Sequence, residues 1–411
     1  MKKIAIIGSG ISGLTCAYRL SKHHDITVFE AADYIGGHTH TVKVEKEGEK
    51  ALIDTGFIVF NDRTYPQFIK LMQEIGVAYQ PTQMGFSVSN AALNLEYASC
   101  NLNSLFAQRS NLLRPEFYKM LSDLLRFNKA VRKEKDKDQG MTIGQYLEKG
   151  GYGNFFKENY LFPMIGAIWS MGEKSCHDFP LQFFARFFDN HGLLTVTNQP
   201  QWYTIMDGSS SYIEPLTIRY KKKIRLQTPV RKVTRQDNSI ILETHDGHHT
   251  FDDVILACHG DQALPLLFQP TEKEQEILSA FHCSDNQVIL HTDTSLLPSR
   301  KAAWASWNYR VLDAGDERTT LTYNMNILQG LDKRHTYLVT LNQEIAPKYV
   351  LASFTYAHPI YTSSAIAAQK KWHTISGIDR IHYCGAYWFN GFHEDGVNSA
   401  LRVCDMLEGQ S

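Results

Sequence analysis

Lys2-Lys-Ile-Ala-Ile-Ile-Gly8-Ser-Gly10-Ile-Ser-Gly13, continued through Ile26-Thr-Val-Phe-Glu30 to Gly36-Gly37-His38-Thr39, is the stretch on which the fold turns. Ile4 to Ile7 is an unbroken apolar run of the kind that forms a strand buried on both faces. It breaks at three glycines and passes into Leu14-Thr-Cys-Ala-Tyr-Arg-Leu20, a helix with apolar faces. A second strand, Ile26 to Phe29, ends on the acid Glu30. The three glycines do different things. Gly8 makes the tight turn, Gly10 lets backbone approach a pyrophosphate, and Gly13 lets helix and strand pack closely. The N–H groups of Ile11, Ser12 and Gly13 at the helix start, with the positive end of its dipole, suit phosphate. Glu30 lies seventeen residues past Gly13, near the spacing of an acid that takes ribose hydroxyls. A carboxylate there repels a 2′-phosphate, which disfavours NADP. The motif with its strand, helix and acid reads as a dinucleotide site.

The rest of the composition sets limits. A chain of 411 residues is too long for one ordinary core and suggests two or three domains. Lys+Arg 42 against Asp+Glu 43 leaves a net charge of -1, so no global field points to nucleic acid. The 22 Phe, 20 Tyr and 6 Trp would suit a large apolar pocket, or simply an aromatic core. Seven scattered cysteines without a C-x-x-C argue against a disulfide framework or a zinc site, and fit a reducing cytosol. The expectation is no metal and a cytoplasmic location. No apolar run approaches the roughly 20 residues of a membrane span.

Farther along, Thr39 to Val44 alternates, turns at Glu47-Gly48 and returns through Ala51 to Phe60, a hairpin leading into a close glycine approach at Gly56-Phe57. Phe68, Leu71, Met72 and Ile75 mark a helix over 66–75. From Ser104 to Arg132 helices are expected, with Phe117, Met120, Leu121, Leu124, Asn128 and Val131 on one face and a basic opposite face. Such a basic amphipathic helix either packs on its own domain or lies on an anionic membrane surface. It runs into the charge run Lys133 to Gly140, and Thr142-Ile-Gly-Gln145 is a capping box opening the next helix. Residues 152–172 are aromatic and apolar, suiting either pocket wall or core. Short strands follow Asp207-Gly-Ser-Ser-Ser-Tyr212, and the chain closes with Ile381-His-Tyr-Cys-Gly385 through Gly391-Phe-His-Glu-Asp-Gly396-Val397 and a helix.

Three segments in this order resemble the flavin-containing amine oxidase, protoporphyrinogen oxidase and phytoene desaturase superfamily. They are Gly8 to Thr39, with Gly36-Gly37 six residues past Glu30; Thr228-Pro-Val230 through Val254-Ile-Leu-Ala257-Cys258-His259; and Tyr383 to Val397. The resemblance implies an α/β protein: a Rossmann-like, glutathione-reductase-type FAD-binding domain (1–65, 206–284 and 356–411) interleaved with an α+β substrate domain (66–205 and 285–355). It implies non-covalent FAD, gripped by Gly8, Gly10, Ile11, Ser12, Gly13, Glu30, Ala31, Gly36, Gly37, His38, Thr39, Gly56, Phe57, Val230, Gly385, Asp395, Gly396 and Val397. Val230 would touch adenine through its backbone, and the helix start at Gly396-Val397 would face the flavin N1/C2=O edge.

Asp54-Thr-Gly-Phe57, Ser306-Trp-Asn-Tyr309, Tyr356-Ala-His-Pro359 and Gly391 to Gly396 together look like a bacterial subgroup often encoded near cyclopropane-fatty-acid-synthase-like methyltransferases. That association implies a lipid substrate and a methyltransferase partner, while peripheral contact with the inner membrane face is the membrane reading of the basic amphipathic helix above. The implied reaction is hydride transfer from substrate to flavin N5, in an oxidase or desaturase. The alternatives are a flavin amine oxidase and an FAD-binding accessory subunit of a lipid methyltransferase. Two departures stand out. His38 replaces the family's arginine, and no lysine occurs around His291-Thr-Asp293, where amine oxidases place one near N5. His393, His358 and Tyr356 are the candidate catalytic residues, with His291 and Asp293 behind them. Phe155, Phe162, Trp169, Tyr203 and Trp307 are the expected lining of an apolar slot.

Overall fold

A computed structural model describes residues 1–137, 140–169, 171–195, 198–311 and 320–409. Asp138 and Gln139 of the charge run, and Ser170 of the aromatic stretch, lie outside the described residues. The opening apolar run forms the strand Lys3–Ile7, the centre of a five-stranded parallel sheet. On one side lie Asp25–Phe29 and then Ile224–Arg225; on the other lie Asp253–Leu256 and Ile381–Tyr383. Ile4, Ala5 and Ile6 are fully buried because helices and a second sheet cover both faces. The chain leaves Lys3–Ile7 in one direction and meets Asp253–Leu256 in the other. The carboxyl end of the first strand is therefore a topological switch point, where open α/β sheets form their ligand crevice.

The hairpin pairs Thr41–Lys46 with Glu49–Asp54 around a turn in which Glu47 and Gly48 both have positive φ, as a two-residue turn requires. The next helix spans Pro66–Glu74 and buries Phe68, Leu71 and Met72 as their spacing dictates. The described residues between 102 and 190 are largely helical, and Thr142 and Gln145 form the expected capping box. In the helix Pro115–Val131 the buried side chains are Phe117, Met120, Asp123, Phe127, Asn128 and Val131, while Leu121 and Leu124 lie at the margin. The aromatic run after Tyr152 is largely core: Phe156, Phe162, Ile165 and Trp169 are all buried.

A seven-stranded sheet backs these helices, in the order Val350–Ile360, His282–His291, Leu338–Leu341, Leu321–Asn324, Trp307–Val311, Phe86–Asn90, Leu95–Ala98. Its first two strands form a long antiparallel ladder, from His282 opposite Ile360 to His291 opposite Val350. The expected segment boundaries at 284–285 and 355–356 fall inside this ladder. Continuous β-structure, rather than flexible linkers, thus joins the two parts of the chain. Among the described residues no helix is long and apolar enough to cross a membrane.

Candidate active site

The three glycines of the first turn differ in what forces them. Gly8 has φ +109, and a Cβ there would come within 2.7 Å of the Ala257 carbonyl oxygen. A Cβ on Gly13 would sit 2.0 Å from the Gly8 carbonyl oxygen. Gly10 has an ordinary φ of -70 and nothing within 4 Å of where a Cβ would be. No protein contact explains a glycine at position 10; a ligand lying against its backbone would. The helix Ile11–Leu20 begins here without a side-chain cap, and its first backbone bond runs from Leu14 N–H to the Gly10 carbonyl. The N–H groups of Ile11, Ser12 and Gly13 thus precede the helical ladder and point out of the helix end. Gly36 bridges to Gly10, bringing the double glycine over the same opening. Open backbone, orphan donors and a dipole end fit a pyrophosphate.

Glu30 is held at the lip. Its carboxylate accepts from Ser9 N–H at 2.9 Å, Ser9 Oγ at 2.6 Å and Ala32 N–H at 2.8 Å. Thr228 N–H donates to the Glu30 carbonyl, which brings the buried Val230 alongside. Ala31 is exposed next to this lip.

The far end of the sequence closes the cradle. Gly385, at φ +151, follows the strand Ile381–Tyr383, and its N–H donates to Ser399 Oγ at 2.9 Å. The helix His393–Glu408 packs along Ile11–Leu20, and a Cβ on Gly396 would meet Ile11 Cγ2 at 2.7 Å. Two helix starts therefore converge on one point, with Val397 buried behind them. Asp395 accepts from Phe392 N–H at 3.0 Å, and burial pushes its carboxyl up to about 7. Glu394 reaches across to the otherwise uncapped helix Pro66–Glu74, accepting from Gln67 and Phe68 N–H.

Asp54-Thr-Gly-Phe57 ties four elements together. Buried Asp54 accepts from Thr41 Oγ1, Ser209 N–H and Oγ, and Gln329 Nε2, and burial outweighs these donors to raise it to about 6. Thr55 Oγ1 lies 2.7 Å from the Tyr356 hydroxyl, which also meets His40 Nδ1 at 2.7 Å. Gly56 is pressed on His38, where a Cβ would be 2.1 Å from the carbonyl oxygen. The Phe57 ring stacks on His393 with centroids 3.6 Å apart.

His393 is thereby locked, with Nε2 3.0 Å from Thr39 Oγ1, and Thr39 is also bonded to Tyr212. Burial drops its imidazole to about 3, far below what a base working at neutral pH needs. His38 stacks on His259 and lies tilted against His358 and Tyr356. Burial and the neighbouring imidazoles keep His38 well below the usual histidine range, and burial lowers His358 to about 4.

His291 and Asp293 stand apart from this constellation. His291 has one ring nitrogen on Thr340 Oγ1 and accepts from Asp293 N–H with the other, while Asp293 caps a short turn through Ser295 N–H. Both are structural, and neither is brought to the cradle. Of the five expected slot residues, Phe155, Phe162, Trp169 and Trp307 lie in or against one aromatic core, and Tyr203 belongs to another. Tyr203 packs on Phe60 and Tyr79, Trp307 on Tyr323, and Trp169 on Phe179, Phe183 and Phe187. Phe187 stacks on Phe392 of the closing turn and His191 lies tilted beside it, neither of which the sequence singled out. It also missed His259 Nδ1, 3.9 Å from Cys283 Sγ, with Asp261 close by.

The family model described as flavin containing amine oxidoreductase matches residues 11–335. The chain belongs to this family. The flavin-containing amine oxidase A of Canis lupus familiaris is 25% identical over 257 residues, covering 59% of this chain and 47% of the canine enzyme. The match thus spans about half of that relative. Among solved structures, cyclohexylamine oxidase from Brevibacterium oxydans IH-35A superposes with a TM-score of 0.72 at 15% identity, covering 99% of each chain. A CLA-producing fatty acid isomerase from P. acnes superposes with a TM-score of 0.71 at 15% identity, covering 99% of this chain and 98% of that one. At these identities the likeness is one of fold. As a flavin-containing amine oxidoreductase, the chain is an FAD-dependent oxidoreductase of mixed α/β architecture. The opening at Gly10 and the two converging helix starts are features of its own that suit FAD.

Proposed function

We propose that this flavoprotein oxidises a lipid or fatty-acyl chain, as an oxidase or desaturase, with FAD held non-covalently. Bound FAD supplies a hydride acceptor at N5, and the protein's part is to bind, orient and exclude water. On this reading the N–H groups of Ile11 to Gly13 and the Gly10 backbone would take the pyrophosphate and Glu30 the ribose, while the helix start that would face the flavin's N1 edge is at His393, a turn before the expected Gly396-Val397.

One observation carries the substrate class. The side chains against Phe392 and beyond it are Phe187, His191, Phe183, Tyr361, Trp169 and Phe179, and His191 is held neutral, near 4, by burial. None of these carries a charge to meet an ammonium or a carboxylate. The P. acnes isomerase, by its name, acts on a fatty acid within the same fold. With its imidazole held near 3, His393 serves as a positioning residue for Phe57 and the closing turn. Tyr356 and His358 are then the candidates left to touch substrate. A lipid methyltransferase is the proposed partner, because it supplies the modified acyl chain.

The test is anaerobic reduction of the flavin by lipid fractions, with products identified by mass spectrometry. Bleaching by an acyl lipid is the expected result. A flavin that stays oxidised with every acyl lipid, yet releases peroxide with primary amines, would replace this reading with amine oxidation, the activity in the names of the canine and Brevibacterium proteins. Co-purification with a methyltransferase and no reduction by any substrate would leave an accessory subunit.

A further inference from the structure

We propose that the face built from residues 93–126 docks this protein on an anionic lipid bilayer. The helix Pro115–Val131 turns Phe117, Met120, Phe127 and Val131 inward, yet its outer face carries Tyr118 and Leu125, the latter 57% exposed. The short turn Arg109–Leu113 holds out Leu113 at 88% exposure with Leu112 beside it, and the helix Leu102–Leu105 holds out Leu102 at 77%. Single exposed leucines are unremarkable, but these belong to one surface. The Tyr118 hydroxyl donates to the Leu112 carbonyl, and Arg114 donates to the carbonyls of Leu93, itself exposed, and Asn94. Arg109 spans from its own turn to Phe106 and Asn103, beside Leu102.

The unpaired charge on this surface is basic. Between 93 and 126 stand four basic and three acidic side chains, but Glu96 is occupied by Arg300, and Asp123 by Arg126 and the Gly153 N–H. Exposed Arg109 and Lys119 on this face, with Lys129 one turn past Leu125, then stand near the leucines against the exposed acid Glu116. Leucines that project from turns and a helix face within a basic rim fit acyl chains below and anionic headgroups around them. The inner face of the same helix packs in the aromatic core that contains Trp169 and Phe187, which leads to Phe392. The surface deepens the lipid reading and rests on it for its purpose, but binding to vesicles needs no turnover.

The experiment is sedimentation of the flavin-loaded protein with vesicles of phosphatidylcholine alone, or with one-third phosphatidylglycerol. Pelleting with the anionic vesicles only, reversed by high salt, is the expected result. The double variant Leu112→Ser/Leu113→Ser should lower partition at least about tenfold, since two exposed leucines lose their burial in the bilayer. Flavin content and melting temperature should not change. Failure to pellet with anionic vesicles, or pelleting of the double variant equal to that of the parent, would overturn the proposal. So would a change in oligomeric state on making the variant in lipid-free solution, which would assign the face to a second copy of the chain. Vesicle binding without flavin bleaching by any acyl lipid would keep the surface and remove the lipid substrate.

Discussion

Gly10 and Gly13 lie on the same turn and are glycine for opposite reasons. A side chain at 13 collides with backbone 2.0 Å away, whereas one at 10 meets nothing within 4 Å and needs no unusual φ. Gly13→Ala should therefore damage the fold, because no flexible side chain is there to yield. Gly10→Val should leave the fold intact and fill the space a pyrophosphate needs. We expect Gly10→Val to lose at least about tenfold in FAD affinity, roughly 1.4 kcal/mol, with the melting temperature of the flavin-free protein unchanged. Flavin absorbance per protein and apoprotein melting separate the two outcomes, and a Gly10→Val protein that keeps its flavin would remove the ligand argument. The sequence made both glycines legible through their spacing. It could not show that Glu30 leans on Ser9, because that bond forms across the strand end and leaves no periodic trace.

At the scale of elements, the Asp54 turn shows how a motif read for cofactor approach is also a joint. Its carboxylate gathers donors from the hairpin, from the Ser209 loop and from Gln329, segments far apart in sequence. Asp54→Ala leaves the buried Ser209 N–H and its companions without an acceptor, which costs about 3 kcal/mol or more. Asp54→Asn keeps one carbonyl acceptor and should lose roughly half as much. Urea unfolding should show the midpoint falling in that order with an unchanged slope. The opening strand–helix–strand unit, the hairpin and the helix over 66–74 could be read from period and turn chemistry. The pairing of Phe392 with Phe187 could not, since aromatic residues look alike in a sequence and only tertiary packing decides which faces meet. The outward leucines at 112 and 113 were hidden for a related reason. They sit in a 3-10 turn, outside the helical period used to sort inside from outside.

Over the whole molecule, buried titratable groups set opposing pH demands. His191, His291 and His393 are buried with imidazoles lowered to about 4, 4 and 3. A depressed folded-state pKa means stability that is present above the unfolded value of about 6.5 and is lost as pH falls below it. His38 and His358, half-buried, act in the same direction. Asp54 and Asp395 are raised to about 6 and 7, so their contribution is full below about pH 4 and is lost as pH rises to those values. The histidines outnumber the two carboxylates, so stability should decline from pH 7 to pH 5, by about 1.4 kcal/mol per pH unit for each excess proton bound on unfolding. Melting temperature against pH checks the sign. His191→Phe should reduce the slope by one proton, and Asp395→Asn should steepen it. A profile that rises toward pH 5 would contradict the neutral assignment of these imidazoles.

The contact of Gly396 with Ile11 also constrains how the chain is made. The helix start that completes the cradle is made only about 380 residues after the glycine turn. At roughly 5–20 residues per second this interval is on the order of 20–80 s. For the first part of it the nascent first strand lacks its neighbour Asp253–Leu256, and throughout nearly all of it the sheet lacks its edge strand Ile381–Tyr383. Flavin cannot then act as an early template for folding. It can only trap a chain in which these two segments have already met, so in flavin-starved cells the vulnerable species is a nearly folded apoprotein rather than a stalled fragment.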